Sequence, residues 1–173
     1  MSSFLEGLSA LSWQVCPAIA GGEVPAGFAS RYGQLPIELT SFISSFSLCA
    51  NPSDDAWFIS MMDLARDTPF RLNEYELMSL AAAGSDTDWH AAIHDFWRCH
   101  FPLFLSVNGS YHYFAYCLEG PAQGQIVHGA EPEFEECAAV ESSLDEFLIL
   151  FVTAAGSPMP VYPFSVAIPH NAS

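Results

Sequence analysis

The stretch that decides the fold runs from Phe101 to Cys117 and reads FPLFLSVNGSYHYFAYC. Residues 101–107 are rich in the apolar and aromatic side chains typical of strands, and residues 111–117 alternate as a returning strand does. Asn108-Gly109 lies between them, and this dipeptide is the strongest short-range signal for a β-hairpin. We predict a type I′ turn there, which needs positive φ at both residues. The sequence therefore places an antiparallel strand pair at the centre of the fold.

Helical patterns surround this hairpin. Apolar residues recur at helical spacing, behind capping residues or a proline, over residues 4–15, 36–46, 73–84, 85–100 and 143–155. Further short strands are predicted over residues 56–60 and 125–128. The predicted helices come first and are followed by an antiparallel meander and a closing helix. This order is typical of an α+β fold. We predict one α+β domain over residues 1–156, with an antiparallel β-sheet packed against several helices, and an extended Pro-rich tail over residues 157–173.

Charge is the most unusual feature of the composition. Twenty acidic residues face four arginines and no lysine, which gives a formal net charge of -16 over 173 residues. A field of this sign repels phosphate backbones and anionic lipid surfaces, and it attracts basic proteins. We therefore expect neither a nucleic-acid nor a membrane partner. The charge serves either solubility alone or the recognition of a basic protein.

Cysteine usage and the absence of targeting signals bear on the compartment. The five cysteines form no CxxC pair and stand beside apolar residues, as buried thiols do in a reducing compartment. Residues 1–16 carry an acid and no Lys or Arg ahead of their apolar positions, which makes a poor signal peptide. No apolar run reaches the ~18 residues that a membrane span needs. We expect a soluble, cytoplasmic protein.

Two acidic clusters supply the candidate partner-binding residues. They are Asp54 and Asp55 beside Trp57, and then Glu131, Glu133, Glu135 and Glu136. In an extended segment, alternation would place the first three glutamates of the second cluster on one side, as a negative strip for a basic surface. The alternative is an edge strand that its charges protect against unwanted pairing.

Motifs for catalysis are weak. His90 and His94 stand four residues apart on a predicted helix, and with Cys99 or His100 they could share a metal ion. The glutamate that a zinc protease places directly after the first histidine is absent, since residue 91 is Ala. No G-x-S-x-G motif occurs, and no lysine exists to reach a phosphate. We expect structural histidines, and we predict no catalytic residue, no metal and no cofactor.

The order of these segments resembles a known family. Five segments follow one another in the order of a SMI1/KNR4-like domain of the SUKH superfamily. They are the run 101–107, the Asn108-Gly109 turn, the aromatic strand 111–116, the strand 124–129 and the serine-capped helix that contains Glu146-Phe147-Leu148. The segment 35–39, LPIEL, together with Phe42 is similar to its L-P-x-x-L-x-x-F signature. The resemblance spans residues 30–152.

This resemblance implies an α+β scaffold that binds other proteins without catalysis. Many bacterial members look like immunity proteins that neutralise toxins such as nucleases, and eukaryotic relatives look like regulators of signalling or of the cell wall. The acidic charge agrees with the immunity reading, because a nuclease must be basic to hold nucleic acid. We therefore expect an immunity-type protein that binds a basic, nuclease-like bacterial toxin. The alternatives are a regulatory scaffold and, in another class, a metal-dependent hydrolase that uses His90 and His94.

Overall fold

A seven-stranded antiparallel sheet forms the centre of the protein, in a computed structural model that describes residues 2–18, 30–64 and 71–168. The strands are β1 Gln14–Pro17, β2 Phe46–Ala50, β3 Ala56–Phe58, β4 His100–Ser106, β5 His112–Cys117, β6 Ile126–Ala130 and β7 Ala138–Glu141. Their order across the sheet is their order along the chain, so the sheet is a meander. The predicted α+β class and the predicted antiparallel meander are confirmed.

Helices cover both faces of the sheet. They are α1 Ser2–Ala10, α2 Ile37–Ile43, α3 Glu74–Ala83, α4 Thr87–Cys99, α5 Leu144–Ala155 and α6 Phe164–Ala167. The side chain of Asp86 caps α4 by accepting the amide N–H groups of residues 88 and 89, and Ser143 caps α5 by accepting that of Glu146. Each cap satisfies amide groups that a helix start leaves without an internal partner. No helix in the described part of the chain is long and apolar enough to cross a membrane.

One face of the sheet is filled by phenylalanines. Phe58, Phe104 and Phe114 lie side by side on β3, β4 and β5, in register with one another. Phe151 of α5 packs onto them, with ring centroids 4.7 Å from Phe58 and 5.0 Å from Phe104. Phe4 of α1 joins the same cluster, and all five rings are buried. Burying each such ring contributes roughly 1.5–3 kcal/mol, so this face is a main source of stability.

The opposite face packs against α3 and α4. Tyr113 of β5 lies 5.0 Å from the ring of Trp97 in α4, and Tyr75 of α3 stacks on Phe134 at 4.7 Å. A side chain at position 129 would collide with this arrangement, because a Cβ built on Gly129 lies 2.3 Å from the Tyr113 hydroxyl oxygen. The glycine therefore lets the Tyr113 ring lie across β6 and donate its hydroxyl hydrogen to the Phe134 carbonyl.

The C-terminal segment differs from the predicted extended tail. Within the described residues it ends in helix α6, whose Phe164 is fully buried and lies 5.2 Å from Phe114 and 6.0 Å from Phe151. Phe164, Ala167 and Ile168 recur at helical spacing and bury one face, although the prolines around them suggested an extended chain. Residues 169–173, which we also assigned to the tail, lie outside the described residues.

Several predicted element boundaries were wrong. Helix α1 ends at Ala10 rather than near residue 15, because Ser12 adopts a positive φ of 67° and residues 14–17 pair with β2. Phe46 opens β2 instead of closing α2. The hairpin connection spans residues 107–111, and only Gly109 has a positive φ, of 76°, so a type I′ turn at both central residues is wrong. Strand β7 was not predicted.

Candidate functional site

Three loops meet at one end of the sheet, and they carry both predicted acidic clusters. Residues 51–55 join β2 to β3, residues 107–111 join β4 to β5, and residues 131–137 join β6 to β7. The strand ends stand in line, because Ala56 pairs with Ser106, Ser106 with His112, and His112 with Ala130. Neighbouring strands are about 4.8 Å apart, so Ala56 and Ala130, at the nearest ends of the first and third loops, are about 14 Å apart. We call these three loops the acidic end.

Asn51 organises the first loop. Its side-chain oxygen accepts the amide N–H groups of Asp55 and Ala56 at 3.0 and 3.1 Å, and its amide nitrogen donates to the Asp55 carboxylate at 2.7 Å. Asp54 follows with a left-handed φ of 57°, and its side chain is exposed. The Asp55 carbonyl accepts the Val107 N–H at 2.8 Å, which ties this loop to the hairpin beside it. Of the two aspartates, Asp54 therefore presents the freer charge.

Trp57 does not stand beside these carboxylates on the loop. It lies within β3, where it pairs with Ala50 on one side and Leu105 on the other, and its side chain is half-buried against the core. The structure therefore separates this candidate partner-binding residue from the exposed tip at Asp54.

The third loop is not the extended negative strip that alternation predicted. Phe134 turns inward and is buried, and the Glu136 N–H donates to the Glu133 carbonyl within a turn. The carboxylate of Glu131 accepts the Tyr111 N–H at 3.1 Å, while that of Glu135 accepts the Trp97 indole N–H at 2.8 Å.

The glutamates of this loop therefore divide into two pairs. Glu131 and Glu135 help to hold the loop, whereas Glu133 and Glu136 are exposed to solvent.

The charge of the acidic end is of one sign. Its three loops hold six carboxylates and contain no Lys, Arg or His. Arg31 and Arg98 form ion pairs with acids outside these loops. Arg98 bonds the Glu119 carboxylate at 2.9 Å, and Arg31 bonds Glu76 at 2.7 Å.

The candidate metal ligands diverge from one another. The His94 Nδ1 lies 2.8 Å from the carboxylate of Glu76, which is 2% exposed. The His100 Nδ1 donates to the Phe96 carbonyl at 2.8 Å, and its ring stacks on Phe96 at 4.0 Å. The Cys99 thiol faces Glu119 at 3.8 Å. Among the residues that the structure describes, no three His, Cys, Asp or Glu side chains converge on a metal position.

Sequence analysis did not predict a row of hydrogen bonds that runs from Ser110 through two histidines. The Ser110 Oγ lies 2.7 Å from the His112 Nε2, and the His112 Nδ1 lies 3.1 Å from the His128 Nε2. Both histidines are buried on the phenylalanine face. Burial, and then the neighbouring His112, lowers the pKa of His128 to about 4. Burial also lowers the pKa of His112, against an opposing effect of Glu131.

A serine that is hydrogen-bonded to a histidine, which is itself oriented by a third group, is the arrangement that activates a serine nucleophile. The adjacent cavity, however, lies beside His128, at the opposite end of this row of hydrogen bonds from Ser110. It has a volume of about 250 Å³, and it is lined by His128 rather than by Ser110. The Ser110 hydroxyl and this cavity therefore lie on opposite sides of the histidine pair. This row of hydrogen bonds links the hairpin to the C-terminal segment, because the ring of His128 contacts that of Tyr162 edge-to-face at 5.5 Å.

Comparison with family models, with curated proteins and with solved structures finds no match to this chain.

Proposed function

We propose that this protein is a non-catalytic binding module that neutralises a basic, nuclease-like toxin by direct contact, in the manner of a SMI1/KNR4-type immunity protein. The observation that supports this proposal most directly is the acidic end. Two acidic clusters that are 76 residues apart in sequence, from Asp55 to Glu131, share one end of a rigid sheet.

The geometry suits recognition by charge. The loops are held by internal hydrogen bonds, so binding orders little additional backbone and loses little conformational entropy. Asp54, Glu133 and Glu136 are exposed and lie on loops without a basic residue. Complementary charge of this kind accelerates encounter and fixes the orientation of a basic partner. A nuclease whose cationic groove is covered by this surface can no longer hold its substrate.

The test is charge reversal at the two glutamates that the loop does not use for its own structure. Glu133→Lys with Glu136→Lys should slow association with a basic toxin domain, for which products of neighbouring genes are the first candidates to test, because the attractive field weakens. We expect a decrease in the association rate of about tenfold at low salt, shrinking as added salt screens the wild-type field. Stopped-flow fluorescence over a series of salt concentrations measures this effect.

A matched control carries the same change in charge elsewhere. Glu6→Lys with Asp88→Lys alters two exposed acids on α1 and α4, outside the three loops of the acidic end. We expect this control to associate within about twofold of the wild-type rate. Equal slowing by both double variants would show that only net charge matters, and association without salt dependence would contradict the proposal. A neighbouring gene that encodes a host regulator rather than a toxin would instead favour a regulatory scaffold.

A further inference from the structure

Apolar side chains are exposed beside edge strand β7. Val161 and Tyr162 precede α6 and keep 67% and 69% of their surfaces in solvent. Ala138 and Ala139 of β7 are also exposed. A monomeric protein rarely leaves neighbouring large apolar side chains exposed without a use, and such patches mark interaction sites.

Between these two elements lies a groove of about 250 Å³. Val140 and the two alanines of β7 line one side, and Val161 and Tyr162 line the other, with Phe164 beneath. We call this space the β7 groove. Val140 is the extra residue of a β-bulge, because residues 139 and 141 pair with neighbouring positions 127 and 126 of β6. Bulges of this kind redirect side chains and are common beside functional surfaces.

Both walls of the groove are fixed by the core. Strand β7 is held by its ladder with β6, and the other wall is anchored by Phe164, which is buried against Phe114 and Phe147. The Ser165 N–H also donates to the Val161 carbonyl at 3.0 Å. The groove therefore exists before a partner arrives, as binding pockets for apolar side chains commonly do.

The charges around the groove select its occupant. Glu136 stands two residues before β7, and Glu141 is its last residue. The chain has no Lys or Arg after Arg98, so no base in the sequence of this region offsets these acids. A second copy of the protein would bring another net charge of -16 to the same place, which disfavours self-association. A basic partner meets attraction at the rim and apolar surface at the centre, which is the usual composition of an interface.

We infer that the β7 groove receives an apolar side chain, aliphatic or aromatic, from a basic protein segment. This inference rests on the proposed function and deepens it, because it assigns the apolar anchor of the interface that the acidic end steers. Anchors of this kind account for most of the binding energy, whereas rim charges mainly affect association. Trp57, which is half-buried within β3, is not required in this arrangement.

The test uses two short arginine peptides, one with a single central Phe and one with Ser in its place. Both are titrated into the full chain and followed by NMR chemical shifts. We expect the Phe peptide to bind about tenfold more tightly than the Ser peptide, with the largest shifts at residues 138–141 and 161–164. Val161→Arg should reduce this ratio of affinities to about one, because the longer side chain obstructs the groove that would receive the Phe ring.

Ile149→Arg is the matched control. Ile149 is 71% exposed, close to the 67% of Val161, and it lies on α5 beside a different cavity. Both substitutions add one positive charge at an exposed aliphatic residue, so both variants should fold and keep the wild-type melting temperature. The roughly tenfold ratio of the two peptides' affinities should be unchanged in this control.

The outcomes separate this inference from the proposed function. If the two peptides bind equally and both respond to salt, the acidic surface stands and the β7 groove is not the anchor. The inference is also overturned if the Phe peptide still binds about tenfold more tightly than the Ser peptide in Val161→Arg, or if this difference in affinity is lost in Ile149→Arg. If neither peptide binds at low salt, the result counts against the charged surface and the groove together.

Discussion

Removing the ring of Phe164 tests whether the C-terminal segment belongs to the core. Phe164 is completely buried, and its ring lies 5.2 Å from that of Phe114, 6.1 Å from Phe147 and 6.0 Å from Phe151. Truncation of a buried phenylalanine to alanine costs about 3–5 kcal/mol, as the sum of lost burial and a residual cavity. We expect Phe164→Ala to lie near the lower bound, at about 3 kcal/mol, because a four-residue helix can shift to fill part of the cavity.

That loss should be readily measurable. A domain of this size loses about 2–4 °C in melting temperature for each kcal/mol, so the expected decrease is about 6–12 °C. Urea unfolding followed by tryptophan fluorescence gives the free energy directly, and calorimetry gives the melting temperature. Val166→Ala is the control, because Val166 lies on the same helix and is 43% exposed. We expect the control to cost less than about 1 kcal/mol.

Equal stability of the two variants would refute the buried placement of α6. It would return residues 157–168 to the extended tail that their prolines predicted. It would also remove one wall of the β7 groove, so the further inference would lose its structural basis.

Three other predictions address the hairpin, the histidine pair and the third acidic loop. Gly109→Val should cost about 1–3 kcal/mol in urea unfolding, because φ is 76° at this residue, although no atom lies within 4 Å of the added Cβ. Gly109→Asn should cost less, because asparagine tolerates positive φ. Equal costs would show that the backbone angle is not the cause. The low pKa of His128, about 4 against about 6.5 when unfolded, means that the unfolded chain takes up a proton first as the pH falls. The free energy of unfolding should therefore decrease between about pH 6.5 and pH 4, and His128→Gln should flatten that decrease. Glu135→Ala removes the acceptor of the buried Trp97 indole N–H and should cost about 1–3 kcal/mol in urea unfolding. Glu135→Gln keeps an oxygen acceptor and should retain at least half of that energy.

Local signals predicted the elements whose structure is decided locally. Asp86 and Ser143 accept amide N–H groups at helix starts, and both cap positions were evident from polar residues ahead of an apolar period. The central hairpin was equally evident, although its turn type was not, because Asn108 in the longer loop 107–111 does not need positive φ.

Elements that depend on distant partners were missed or misassigned. Strand β7 is Ala-Ala-Val-Glu, which has little intrinsic β-propensity and is a strand because β6 lies beside it. Phe164 stands among prolines, and only the tertiary structure provides the aromatic ring cluster that buries it.

The candidate site shows the same division. The sequence identified the carboxylates of both acidic clusters, but it could not show that Glu135 is engaged by the Trp97 indole while Glu133 is free. The histidine pair is sixteen residues apart and requires the register of β5 with β6, which places residue 112 opposite residue 130 and residue 114 opposite residue 128.

The order of the elements along the chain has a consequence for synthesis on the ribosome. Because the sheet is a meander, each new strand finds its neighbour already made, and the ladder can grow in the order of translation. The helices that cover the phenylalanine face from the C-terminal side, α5 and α6, emerge last. The nascent chain therefore presents a nearly complete sheet with one apolar face open to solvent or to chaperones until residues 144–168 are translated, and such partly folded chains are prone to aggregate. The strong negative charge already carried by the emerging chain then opposes contact between neighbouring copies on the same polysome.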